Sequence, residues 1–160
     1  MIRETSLIKF INDTPSILKG SIFQGVEKEG LRVNTKLQLS KLPHPLGLGS
    51  KLTHPFITTD YSENLLEYIT TVYDNTDELL LSLKKMHCFT YHRLEQDEVV
   101  WPWSMPALVP ENEMDIPVAY YGESNVGKLK ELYRVGLGNR YGKSMQSIAG
   151  VHYNFSLSKD

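Results

Sequence analysis

The sequence predicts an α+β fold, and three segments carry this prediction. Residues 22–33 and 144–155 alternate between two sets of side chains with period 2, which is typical of strands. Residues 77–93 place apolar side chains at i, i+3, i+4 and i+7, which is typical of an amphipathic helix. The 160 residues are enough for one domain with a buried core.

Helices are predicted from apolar spacing and from residues that cap helix ends. The predicted helices are 7–11, 14–20, 77–93 and 125–141. Asn75 or Thr76 is expected to cap the third helix, because a short polar side chain there accepts hydrogen bonds from the first free N–H groups. Ser124 or Asn125 is expected to cap the fourth helix for the same reason.

The predicted strands bring acidic side chains to defined faces. The strands are 22–33, 37–40, 56–60, 65–72 and 144–155. Period 2 puts Glu27 and Glu29 on one face, about 7 Å apart. Glu67 shares a face of its strand with the apolar Leu65 and Ile69.

Two other segments are notable for their composition. Prolines in 101–106 push each preceding residue away from helical geometry and predict an extended segment. The last strand presents Gln146, His152 and Asn154 on its polar face. That face is either a solvated edge, as is common in antiparallel sheets, or the lining of a funnel.

Composition excludes several classes of protein. The formal net charge of −2 argues against a general nucleic-acid binder, which needs a basic stripe. No apolar run approaches the length of a membrane helix, and the start of the chain does not look like a signal peptide. The single cysteine, Cys88, fits a reducing compartment. We therefore expect a cytoplasmic protein.

Two short motifs are weak candidates for a site. Residues 122–128 match G-x-x-x-x-G-K, but Leu129 stands where a phosphate loop has its Mg²⁺-binding hydroxyl. A glycine-bounded turn that caps a helix is the better interpretation. His87 and His92 lie five residues apart on the predicted helix, about 140° apart around its axis, so they do not form a zinc pair.

Four acidic residues are the strongest candidates for chemistry. Two carboxylates at the spacing of Glu27 and Glu29 repel each other by about 2 kcal/mol near a protein surface. Apolar neighbours on the same face imply partial burial, so a cation should offset the repulsion. Oxygen ligands of this kind suit Mg²⁺. The alternative is a solvated acidic face. The candidate cluster consists of Glu27, Glu29, Asp60 and Glu67.

Several runs, in order and over nearly the whole chain, share a resemblance. They are residues 25–33 (GVEKEGLRV), 52–70, 101–106 (WPWSMP), 121–125, 132–134, 139–142 and 147–156. Together they resemble the bacterial glutamate–cysteine ligases (γ-glutamylcysteine synthetases). The resemblance implies a fold like that of glutamine synthetase, with a distorted antiparallel sheet rolled into a funnel and helices outside, incomplete in this chain.

The resemblance also implies a reaction. ATP phosphorylates the γ-carboxylate of L-glutamate, and the amino group of L-cysteine then displaces phosphate, which gives γ-glutamylcysteine in the first step of glutathione synthesis. Mg²⁺ or Mn²⁺ is the implied cofactor, and ATP is a co-substrate. The implied partners are these small molecules, with neither nucleic acid nor membrane and with a monomer favoured. Related ligases with another amine acceptor, and a non-catalytic remnant of the fold, remain alternatives.

By resemblance, specific positions take roles. The implied metal ligands are Glu27, Glu29, Asp60, Glu67 and His152. The implied lining of the pocket for the cysteine side chain is Tyr61, Tyr133, Leu137 and Gln146, with Tyr61 departing from an expected Phe. Because family members are much longer, we expect residues 1–160 to be the N-terminal part of a single catalytic domain that is inactive alone.

Overall fold

A computed structural model describes residues 4–13, 22–95 and 97–157 of the chain. The helices are α1 (Glu4–Asp13), α2 (Thr76–Tyr91) and α3 (Asn125–Tyr141). The strands are β1 (Ile22–Asn34), β2 (Ile57–Thr59), β3 (Leu65–Ile69), β4 (Glu98–Val100) and β5 (Val151–Leu157). Short 3₁₀ turns occupy Leu46–Leu48 and Glu113–Asp115. The α+β class is therefore confirmed, and the predicted helix over 14–20 lies outside the described residues.

The sheet is built around β1, which pairs antiparallel with three other strands. On one side β1 pairs with β3, and β3 pairs with β2. On the other side β5 pairs with the first half of β1 and β4 with its end. The length of β1, 13 residues, allows it to carry both partners in succession.

The two faces of the sheet are covered differently. One face carries a core cluster that includes Leu31, Leu65 and Ile116. The other face carries a cluster that includes Leu66 and Tyr68, against which α2 packs. Every side chain of β5 is exposed, so the covering ends before that strand. Among the described residues, β5 and the first two residues of β1 are exposed, whereas Gln24 of β1 is buried.

Local capping explains where the helices begin. The Asn75 side chain accepts hydrogen bonds from the backbone N–H groups of Asp77 and Glu78 at the start of α2. The Ser124 hydroxyl accepts one from the Gly127 N–H, 3.1 Å away, at the start of α3. Gly122, with φ of +89°, makes the turn before this cap. Both predicted caps are confirmed.

Some predicted elements are wrong in extent. The last strand begins at Val151 rather than at residue 144, because residues 143–146 form a turn whose N–H groups at Lys143 and Ser144 bond to Glu113. Gln146 therefore does not share a strand face with His152. The segment 101–106 is bent rather than extended, since the Trp101 indole N–H donates to the Met105 carbonyl at 2.8 Å.

Candidate functional site

The strand register brings three carboxylates and an imidazole to one open area of the sheet. Glu29 on β1 lies directly opposite Glu67 on β3. Glu27 lies directly opposite His152 on β5. Directly opposed side chains on one face have Cβ atoms about 5 Å apart. The four residues lie on the same face as the Leu31 cluster, beyond its edge.

Asp60 joins this group from the end of β2. Its N–H donates to the Leu65 carbonyl at 2.9 Å, which closes the short connection into β3. Its carbonyl accepts the Tyr121 hydroxyl at 3.0 Å and the Arg134 Nε–H. The nearest Arg134 nitrogen, Nη2, lies 3.8 Å from the Asp60 carboxylate oxygen Oδ1. We call Glu27, Glu29, Asp60, Glu67 and His152 the acidic cluster.

The acidic cluster carries more negative charge than its surroundings balance. Burial raises the pKa of Glu67 to about 7, and the charges of Asp60, Glu29 and Glu27 act in the same direction. Burial also raises the pKa of Glu29, although the Gly150 N–H donates to its carboxylate at 2.7 Å and opposes the shift. The His152 ring lies 3.4 Å from a Glu27 oxygen. A bound cation would relieve this repulsion.

The side chains of the acidic cluster lie close to one another but do not converge on a single point. Within the described part of the chain, no three His, Cys, Asp or Glu side chains have the geometry to hold a metal ion. The group is open to solvent, with the Glu27 side chain 40% and the His152 side chain 61% exposed. Oxygen-rich donors with one imidazole still fit Mg²⁺ or Mn²⁺, which take water and substrate oxygens in their remaining positions.

A cavity of about 350 Å³ lies beside Glu27 on the sheet. Phe23 and Gly25 of β1, Ile69 of β3 and Asn154 of β5 contribute to its lining. Because Gly25 has no side chain, the sheet surface stays open between Glu27 and the strand end. The space next to the acidic cluster is therefore a shallow depression that is open to solvent.

The four residues predicted for a thiol pocket occupy different environments. Tyr61 is buried in the Leu31 cluster, and Leu137 of α3 packs against the same cluster. Tyr133 lies one turn earlier on α3 and is 64% exposed. Gln146 lies in the turn after α3 and is half-buried. No hydrogen bond links these four side chains among those that the described residues make.

The weak motifs resolve as structural features. Residues 122–128 form the turn and cap that start α3, and Lys128 pairs with Glu123 at 2.9 Å. His87 stacks against Tyr68, with ring centroids 4.3 Å apart, and His92 packs against Tyr91. The interpretation of residues 122–128 as a turn that caps a helix is thereby confirmed.

A larger cavity of about 1200 Å³ lies at the far end of β1, next to the buried Arg32. The Arg32 guanidinium donates to Glu98, at 2.7 and 2.9 Å, and to the carbonyls of Leu42, Pro43 and Glu63. These bonds tie the loop after β1 to β4. The ion pair of Arg32 and Glu98 in this cavity therefore has a structural role.

Sequence reasoning missed three residues that support the site. Arg134 and Tyr121 hold the Asp60 carbonyl, although they lie more than 60 residues further along the chain. Glu63, 7% exposed, accepts the N–H groups of His44 and Tyr120 and pairs with Lys51. Their only signal in the sequence was their place inside or beside the runs 52–70, 121–125 and 132–134.

The chain matches a family model described as glutamate-cysteine ligase over residues 8–160. It is 56% identical to a glutamate–cysteine ligase of Hahella chejuensis over 139 residues, which is 87% of this chain and 26% of the relative. It is 50% identical to one of Sodalis glossinidius over 96% of this chain and 29% of the relative. The chain belongs to the glutamate–cysteine ligase family, and it spans about a quarter of the length of these relatives.

Two solved structures have the same fold. A glutamate–cysteine ligase of Francisella tularensis in complex with AMP superposes with a TM-score of 0.83 at 45% identity, covering 86% of this chain and 27% of that chain. A bifunctional glutathione synthetase of Pasteurella multocida gives 0.79 at 33% identity, covering 94% and 19%. The sheet of this chain therefore corresponds to part of the fold of these two solved structures. None of the helices that the structure describes is long and apolar enough to cross a membrane.

Proposed function

We propose that this chain supplies the metal-holding face of a glutamate–cysteine ligase, which joins the γ-carboxylate of L-glutamate to the amino group of L-cysteine at the expense of ATP. The observation that carries the proposal is the register that sets Glu29 opposite Glu67 and Glu27 opposite His152. Residues 1–160 form part of one catalytic domain in this proposal, and the protein acts in the cytoplasm.

The acidic cluster suits the charge problem of this reaction. A phosphoryl group and a carboxylate are both anions, so their approach needs positive charge between them. Mg²⁺ or Mn²⁺, when bound, neutralises phosphate and carboxylate oxygens. Glu27, Glu29, Asp60, Glu67 and His152 would hold the ions. The carboxylates of Glu27, Glu29 and Glu67 are half-buried on a sheet, which fixes their directions better than a loop does.

His152 and the cavity beside Glu27 add two further functions. As a ligand, His152 would bind the cation through an unprotonated ring nitrogen. The cavity lined by Phe23, Gly25 and Asn154 offers room for part of a substrate next to the ions. The AMP bound by the Francisella tularensis relative supports a nucleotide as a substrate of this protein.

The acceptor side of the site is assigned to α3 and its surroundings. Tyr61, Tyr133, Leu137 and Gln146 would line the pocket for the cysteine side chain. Tyr61 belongs to the Leu31 cluster and Leu137 packs against that cluster, which supports an apolar wall suited to a thiol. An apolar pocket of this size discriminates weakly between side chains of similar volume.

The test is a chimera in which residues 22–157 replace the matching segment of the Francisella tularensis ligase. We expect phosphate release that depends on ATP, glutamate and cysteine, with γ-glutamylcysteine identified by mass spectrometry. Replacing cysteine by other amino acids of similar size in the same assay tests the acceptor. A chimera that folds but forms no product contradicts the proposal, and a clear preference for another amine corrects the acceptor.

A further inference from the structure

Arg134 is the basic side chain that the structure places next to the acidic cluster from the helix side. It lies on α3, its side chain is 12% exposed, and its Nη1 donates to the Lys130 carbonyl at 2.9 Å. Its Nε–H donates to the carbonyl oxygen of Asp60. The guanidinium is therefore fixed by main-chain oxygens at both ends.

Tyr121 completes the attachment of Asp60. Its hydroxyl donates to the carbonyls of Thr59 and Asp60, and its ring lies under the Arg134 guanidinium, 4.7 Å from its central carbon. Burial raises the pKa of this hydroxyl, so it stays protonated and keeps donating. Two donors thus converge on one carbonyl oxygen immediately after β2.

The contact of Arg134 with the Asp60 carboxylate is looser than its contact with the carbonyl. The distance of 3.8 Å from Nη2 to Oδ1 exceeds a hydrogen bond, whereas Nε bonds the carbonyl directly. A guanidinium this close competes with a metal ion through its charge. It also fixes the residue that bears the carboxylate. These two effects have opposite signs for cation binding.

We propose that Arg134 is a positioning residue, which holds the Asp60 main chain so that its carboxylate faces Glu29 and Glu67 and remains free to bind a divalent cation. The inference rests on the proposed function, because it takes the acidic cluster to bind metal. Residues that orient a metal ligand typically change metal affinity by 10–100-fold when they are replaced.

The test measures binding of Mn²⁺ by electron paramagnetic resonance to the chimeric ligase, in which residues 22–157 stand within the complete catalytic domain. The variants are R134Q and R134K, and the matched control is R140Q, which removes an exposed arginine of the same helix. We expect R134Q to bind Mn²⁺ about tenfold more weakly, R134K to be weakened less, and R140Q to be unchanged. Circular dichroism checks folding, and R134K is compared alone with wild type if R134Q does not fold.

A double-substitution cycle separates positioning from charge. In an Asp60→Asn background the carboxylate is gone, so we expect R134Q to cause no further weakening. Tighter binding by R134Q with Asp60 intact overturns the inference, because it shows that the arginine acts as a competing charge. Equal binding overturns it as well, because the arginine then has no net effect on cation affinity. If replacing Glu29 and Glu67 together by glutamine does not weaken Mn²⁺ binding, the proposed metal-holding face is wrong, and this inference fails with it.

Discussion

The contact between Gly138 and Tyr61 gives a prediction that depends on packing alone. A Cβ atom added at Gly138 on α3 would lie well inside van der Waals contact with the Tyr61 hydroxyl, while it would lie 3.5 Å from the ring carbon that bears that hydroxyl. Overpacking of this kind costs about 1–3 kcal/mol. Replacing glycine by alanine inside a helix otherwise stabilises by roughly 0.5–1 kcal/mol. We therefore expect Gly138→Ala to lower the free energy of unfolding by about 1 kcal/mol.

Removal of the Tyr61 hydroxyl should change the effect of Gly138→Ala on stability from destabilising to stabilising. In a Tyr61→Phe background the hydroxyl clash disappears, and the remaining close contact is that with the flexible Lys143 side chain, whose Cγ lies 3.3 Å from the added Cβ. Gly138→Ala should then stabilise by roughly 0.5 kcal/mol, which with the loss of about 1 kcal/mol in the wild-type background gives a coupling energy of about 1.5 kcal/mol. Tyr61→Phe alone should be nearly neutral, because the buried hydroxyl has no hydrogen-bond partner among the described residues. Urea unfolding of the four proteins measures the cycle.

A matched control lies two residues away. Gly136 is exposed and has no described atom within 4 Å of an added Cβ, so Gly136→Ala should stabilise equally in both backgrounds. If Gly138→Ala behaves like Gly136→Ala in the wild-type background, the packing argument for Tyr61 is refuted.

Three further predictions concern charge and capping. The pKa of Glu67, about 7 against a usual 4.5, means that its ionisation destabilises the metal-free fold, so its own contribution to stability should fall from pH 4.5 to pH 7. Partial exposure limits this contribution to about 1–2 kcal/mol. It is measured as the difference in urea unfolding between wild type and Glu67→Gln at the two pH values without divalent ions, since His44, whose lowered pKa acts in the opposite direction, is common to both proteins; a difference that does not change with pH would contradict it. Glu63→Gln leaves the Lys51 side chain, which is 13% exposed, without its anion, and it should lower the free energy of unfolding by about 3 kcal/mol in urea unfolding. An unchanged free energy of unfolding would show that this pair does not stabilise Lys51. Ser124→Ala should cost about 1 kcal/mol by removing the cap of α3, and an unchanged unfolding midpoint would show the cap to be dispensable.

The sequence predicted the elements whose signals are local. The bounds of α3 at residues 125 and 141 agree with the prediction, and so does the start of β1 at Ile22. Helix periodicity, caps and strand alternation are all properties of neighbouring residues. The face shared by Glu27 and Glu29 follows from the same alternation.

Features set by distant contacts could not be predicted in this way. The strand β4 was not predicted, because its three residues form a strand by pairing with the end of β1. The turn at 143–146 depends on Glu113, about 30 residues earlier in the chain. The pairing of Glu29 with Glu67 needs the register of β1 and β3, which the alternation of each strand alone does not determine. Likewise, nothing local links Arg134 to Asp60.

The most direct test of the proposed metal face is the turnover of the chimeric ligase with Glu29→Gln and Glu67→Gln together. We expect the rate of γ-glutamylcysteine formation at saturating substrates to fall on the order of a hundredfold or more, because the ions that neutralise the reacting anions lose two ligands. The control replaces the exposed Glu95 and Glu111 by glutamine and should leave the rate unchanged. Turnover by the Glu29 and Glu67 variant at the rate of this control would contradict the account.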